Sequence, residues 1–299
     1  MDIQFSDEYV DMFRIARGLT VHAHGLLHPT HLEWTVDGRL LASEFGRGRI
    51  VDVTEGGSYR DAPPFAFGLR HPAGLVTRYQ GNQIIVADTG QGKIFDITTG
   101  GSIDDCPVVA SGVPGPYGLA LYQGDLYSTF SDHRQNGLLN VEILRNTGCV
   151  EDATTIAGFP NGLREMPYFL SPTQEQGECG SWTALGVGDQ FLYLHAGLGA
   201  VYNVKGFARY SVDVPIICRG LNKPLGMLVH PKTGYLFVVE RGGGTVKVVP
   251  KSQFATDMRY VPPIAAGFRE PSCLRFSADG QTMFVCDVGA CCIWRVDIS

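Results

Sequence analysis

Apolar and polar residues alternate in runs of five to seven along nearly the whole chain, and glycine-bearing turns such as VDG, YQGN and ADG separate the runs. A period of two between such turns predicts short strands rather than helices. The runs recur in sets of three: HPTHLEWTVDGRLLASEFGRGRIVDVT from His28, HPAGLVTRYQGNQIIVADTGQGKIFDIT from His71, and GPYGLALYQGDLYSTFSDHRQNGLLNVEI from Gly115. Three further copies begin at Gly180, Lys223 and Glu270. A fourth run follows most copies, as in PFAFGL, PVVASGV, TTIAGF, PIICRGL and PPIAAGF. With the three core strands named A, B and C, strand B ends at residues 44, 88, 130, 195, 240 and 287, at intervals of 44, 42, 65, 45 and 47. A four-stranded unit of roughly 40–50 residues is the period of a propeller blade. The predicted fold is all-β: a six-bladed β-propeller with four antiparallel strands per blade, spanning residues 1–299 as one domain.

The ends of the chain complete the expectation. The sixth copy stops after strand C, and GLTVHAHGL, residues 18–26, supplies the missing outer strand from the other terminus. Such a closure removes exposed strand edges. Residues 1–17 precede it, and SDEYVDMFRIAR predicts a short capping helix with Ser6 as N-cap. The 65-residue interval locates an insertion at Pro160–Ser181, and a loop of that length in a compact domain is usually functional, often a lid.

In a propeller strand A lies innermost, and strand B ends on the face where A begins. Two rings of equivalent positions therefore border one channel mouth. The strand-A ring reads His31, Gly74, Gly118, Thr183, Gly226 and Cys273, and the strand-B ring reads Glu44, Asp88, Phe130, His195, Glu240 and Asp287. Four carboxylates and an imidazole at six equivalent places can hold a divalent ion or supply a general base beside a charge stabiliser. The competing structural role is an acceptor for backbone N–H groups in the following turn. That role suits the short Asp88 and Asp287 better than Glu44, His195 and Glu240. His28 and His71 precede prolines, a place governed by backbone geometry. His133 and Arg134 sit in the B-to-C loop of the third copy, on the same mouth.

Composition narrows the partners. The chain carries 24 basic and 30 acidic residues, a formal charge of -6, so it offers no basic surface for nucleic acid. No apolar run reaches the ~20 residues of a membrane span. The acidic start lacks the basic, apolar pattern of a signal peptide, so the expected compartment is the cytoplasm, with eight reduced cysteines. There is no GxSxG, HExxH or phosphate loop, and neither a nucleotide nor a quinone is expected.

The copies from His28 and His71 resemble NHL and gluconolactonase-like six-bladed propellers over nearly the whole chain. The His31 and Glu44 pair, 13 residues apart, is similar to the strand-A histidine and strand-B glutamate of virginiamycin B lyase propellers. The inner-ring histidines partly resemble the metal-bound histidines of peptidyl-amidoglycolate lyases. The resemblance implies a lyase, hydrolase or cyclase acting on a small molecule in the channel mouth. His31 would then be the general base, Glu44 its orienting partner and His195 a further catalytic group. One divalent ion (calcium, magnesium or zinc) would sit on His195, Glu240, Asp287 and Asp88. Phe130, His133, Arg134, Tyr168, Phe169, Trp182 and Arg241 are the expected substrate contacts. The alternative is a non-catalytic propeller that binds proteins through its rim.

Overall fold

The computed structural model describes residues 18–78, 80–131, 136–157, 181–187, 190–205, 215–249 and 256–298. Six sheets of four or five strands form the six blades of a propeller. Blade 1 runs Pro29–Trp34, Leu40–Glu44, Arg49–Asp52 and Ala66–Phe67 as strands A to D. Blade 5 repeats it with Pro224–Val229, Leu236–Glu240, Thr245–Val249 and Ala265–Ala266. Blade 6 consists of Pro271–Phe276, Thr282–Asp287 and Cys292–Asp297, and its outer strand is Leu19–His24. That N-terminal strand pairs antiparallel with the C-terminal one, Leu19 opposite Val296 and His24 opposite Cys292. The ring closes as the sequence predicts.

The core lies between neighbouring blades, because alternating strand residues project from both faces of each radial sheet. Leu32, Leu40 and Val51 of blade 1 pack on Cys273, Phe284 and Ile293 of blade 6. Inner strands crowd toward the axis, which explains the glycines there. A Cβ on Gly74 would stand 2.3 Å from the Tyr117 carbonyl oxygen, and one on Gly226 2.5 Å from that of Ser272. Hydroxyls tie adjacent blades where the strands separate: Ser43 Oγ donates to Ala73 O at 2.6 Å and Ser272 Oγ to Thr30 O at 3.0 Å.

Blade 3 departs from the expected pattern. The residues NVEI alternate like a strand, yet strand C ends at Asn140 and a helix, Val141–Thr147, follows it. The Asn140 side chain accepts from Glu142 N and Ile143 N and Gly148 takes the left-handed cap position, so local capping overrides the alternation. Among the described residues no helix is long and apolar enough to cross a membrane, and no cysteine forms a disulfide. The expected N-terminal helix at 1–17 and the loop body at 160–180, with Tyr168 and Phe169, lie outside the described residues, as do His133 and Arg134.

Candidate functional site

The strand-B ring turns inward on its own blades. Asp88 accepts from Arg70 N (2.8 Å), His71 N (3.0 Å) and the Gln91 carboxamide (2.8 Å). Asp287 accepts from Arg269 N and Glu270 N at 2.8 Å, Ala290 N at 3.0 Å and the Trp294 indole at 3.1 Å. The longer glutamates do the same at greater reach. Glu44 takes Leu27 N at 2.6 Å and Arg49 Nε at 2.5 Å, with Arg47 beside it. Glu240 takes Asn222 N at 2.8 Å and Thr245 Oγ1 at 2.7 Å, with Lys247 Nζ at 3.3 Å. His195 Nδ1 accepts from Leu198 N at 3.1 Å.

These bonds correct the expected roles. A glutamate reaches past the turn to the loop entering strand A, so side-chain length does not disqualify it as a cap. The lone pairs expected to hold a metal are given to N–H donors in each blade, and among the described residues no three His, Cys, Asp or Glu side chains converge on a metal position. The donor set therefore does not fit a divalent ion. Phe130 is fully buried in the core beside Ile85, Ala87 and Leu126, so it is not exposed as a substrate contact. Trp182 enters strand A of blade 4 (Ser181–Val187), and its side chain is outside the described set.

Burial holds the His195 imidazole down to about 4, and the ring is 3% exposed. Above pH 6.5 it is neutral folded or unfolded. As pH falls from 6.5 toward 4 the unfolded chain takes a proton that the folded one refuses, so stability is lost across that window. A difference of that size is worth roughly 3 kcal/mol. His195→Asn, whose carboxamide oxygen can accept from Leu198 N, should lose less stability between pH 7.5 and 4.5 than wild type. Parallel urea melts with the same pH dependence would show that His195 does not carry this loss.

His31 does not meet Glu44. Its Nε2 accepts from Arg275 Nη2 at 3.1 Å, and its backbone partner is Leu75. Arg275 also donates to Glu33 Oε2 through Nη2 (2.6 Å) and Nε (3.2 Å), and to Leu274 O through Nη1 at 2.9 Å. Burial, with Arg275 beside it, holds His31 well below its ordinary value, while burial raises Glu33 against the pull of Arg275. The histidine lone pair is thus spent on a guanidinium, which leaves it a positioning group and not a base. Glu33 and Arg275 escaped sequence reasoning, since each is one charge in an apolar inner strand and its partner lies in the blade across the closure.

A backbone bond recurs instead at the entrances to strand A. The residue before each strand-A proline accepts from the B-to-C turn: His28 O from Phe45 N, His71 O from Thr89 N, Lys223 O from Arg241 N and Glu270 O from Val288 N, all at 3.0–3.1 Å. Gly115 fills this place in blade 3. His28 and Lys223 adopt φ of 52° and 51°, the left-handed region rather than the extended one expected before proline. Arg241 donates to Glu270 Oε2 at 2.8 Å across blades 5 and 6, and both are half-exposed. The His71 ring stacks on Phe45 with centroids 4.5 Å apart. Tyr117 follows the blade 3 proline, Pro116. Burial raises its phenol, Arg241 acts in the opposite sense, and the Cys273 and Cys286 thiols add to the rise. His28, His71, Lys223, Glu270 and Tyr117 flank a repeated proline, and that repetition is the signal in the sequence that marks them.

The fold has known counterparts. A protein named as a gluconolactonase superposes with a TM-score of 0.66 at 14% identity, covering 97% of this chain and 95% of its own. A glucose dehydrogenase-type oxidoreductase from Thermus thermophilus gives 0.62 at 15% identity, over 93% and 99%. Virginiamycin B lyase from Staphylococcus aureus, crystallised with quinupristin, gives 0.51 at 14%, over 90% and 80%. No protein-family model and no curated protein matches the sequence. At such identities the likeness establishes the propeller fold alone.

Proposed function

We propose that this propeller is a small-molecule enzyme whose substrate sits at the channel mouth on the face of the B-to-C turns. The observation that carries the reading is the ring of pre-proline residues, His28, His71, Lys223 and Glu270, with Arg241 paired to Glu270 across two blades. Lys223 and the Arg241 guanidinium suit a carboxylate or an oxyanion formed in the reaction. His28 and His71 bring imidazoles, side chains that can accept or donate a proton. Tyr117 supplies a phenol held protonated by burial. These groups fit ring-opening of a cyclic ester by hydrolysis or elimination. The neighbours named as a lactonase and a lyase make such esters the first substrates to try.

A panel of sugar lactones, simple lactones and cyclic depsipeptides tests the reading, with acid release reporting hydrolysis and ultraviolet absorbance reporting a new double bond. Wild type should open at least one of them. Arg241→Ala should lower kcat/KM about a hundredfold, as loss of an oxyanion donor does. Failure to bind or turn over any member would favour the protein-binding alternative.

A further inference from the structure

Strand C of blade 5 sends Val246 and Val248 into the core shared with blade 6, while Val249 packs with Ile217 and Cys218 of blade 4. By strand alternation Thr245 and Lys247 share the face of Val249, toward blade 4. There the two blades border a solvent-open cavity of about 510 Å³, within the range of small-ligand sites. Lys247, Thr245, Glu240 and Arg259 are its polar walls, and Tyr260 and Pro262 are its apolar ones.

Blade 1 shows what this place holds in another copy of the repeat. Arg49 stands opposite Glu44 as Thr245 stands opposite Glu240. In both blades the chain after strand C pairs in parallel with the outer strand of the preceding blade, through Gly57–Ser58 in one and Thr256–Asp257 in the other, so Tyr59 and Met258 are equivalent. The Arg49 guanidinium occupies the space in blade 1, donating to Glu44, to Tyr59 O and to Ala62 O, the latter two at 2.7 Å. Threonine at 245 leaves that room open. A lysine appears two residues on, where blade 1 has Val51, and donates to Met258 O at 2.6 Å beside Glu240.

The substitution does more than neutralise Glu240. Lys247 is 9% exposed and spends two of its three N–H groups on Met258 and Glu240, which leaves a third on a cavity wall among the described residues. Across from it Arg259 spends Nε and Nη2 on Asp257 and keeps Nη1. Two cationic heads with N–H groups to spare therefore line a space whose carboxylate among the described residues, Glu240, is already paired. We propose that this inter-blade cavity binds a small carboxylate, with Lys247 and Arg259 as its donors and Tyr260 and Pro262 against its apolar part.

Isothermal titration of the full-length protein with benzoate, succinate and inorganic phosphate, at fixed ionic strength, tests the site. Wild type should bind a carboxylate more tightly than phosphate. The double variant Thr245→Arg with Lys247→Val rebuilds the blade 1 arrangement, so it should keep the melting temperature and bind at least tenfold more weakly. Arg259→Gln, at a largely exposed side chain that cannot unfold the blade, should weaken binding at least threefold even if the double variant fails to fold. Lys223→Ala with Arg241→Ala should leave this binding unchanged. The proposal is overturned if no carboxylate binds, if phosphate binds better, if Arg259→Gln binds as wild type does, or if affinity survives in a folded double variant. It is also overturned if affinity disappears with the mouth variants.

Discussion

A chain lacking residues 1–26 is expected to melt at least 10 °C below the full protein. The strand Leu19–His24 closes the ring against Cys292–Asp297, and its loss would bare the whole outer edge of blade 6. Ala23 and Leu26 are buried in the core shared with blade 1. His22 bonds Val53 O at 2.7 Å, and His24 O accepts from Tyr59 N at 2.8 Å. Ladder bonds worth about 1 kcal/mol each and burial at about 25 cal/mol per Å² together place the loss on the order of 5 kcal/mol. In a domain of this size each kcal/mol moves the melting temperature by about 2–4 °C. Calorimetry of both chains measures it, and a transition within about 3 °C of the full protein would mean that the ring does not depend on this closure.

The second large effect is expected at the inner seam between blades 1 and 6. Arg275→Met leaves the Glu33 carboxylate inside the protein without its guanidinium and should cost about 3–5 kcal/mol, the usual result of breaking a buried pair from one side. Removing both charges, with Glu33→Met and Arg275→Met together, should recover most of that loss, because two apolar side chains of similar volume replace the pair. Urea melts of the two single variants and the double give the coupling directly. A double variant no more stable than Arg275→Met alone would show that the cost lies in lost packing and not in an unpaired charge.

The repeat made the fold legible. Six alternating triplets, glycine turns and a spare N-terminal run specify blade number, strand order and the closing partner, and each of these is carried by local patterning. The site was less legible, and the reason is directional. Equivalence in the repeat places Glu44, Asp88, His195, Glu240 and Asp287 at one ring height, but it does not say which way a strand-end side chain turns. Unpaired N–H groups in the adjoining loops decide that, and they draw each acceptor back into its own blade. Glu33 and Arg275 were hidden for a different reason, being joined over 242 positions of sequence by a seam that only the closed ring creates. His28, His71, Lys223 and Glu270 were visible in four of the six copies as the residue before proline. Backbone geometry explains the position, and the side chains change from copy to copy, which is why the proposed function rests on them.

Glu240 and Arg241 are neighbours in sequence with opposite roles, one capping a turn and the other proposed to meet substrate. The most direct test compares Glu240→Gln and Arg241→Ala on whichever cyclic ester wild type opens, with melting temperature recorded beside kcat/KM. Arg241→Ala should keep its melting temperature within about 2 °C and lose about a hundredfold in kcat/KM. Glu240→Gln should melt several degrees lower and keep kcat/KM within about threefold. A Glu240→Gln protein that melts normally but no longer turns over substrate, beside an active Arg241→Ala, would contradict the account.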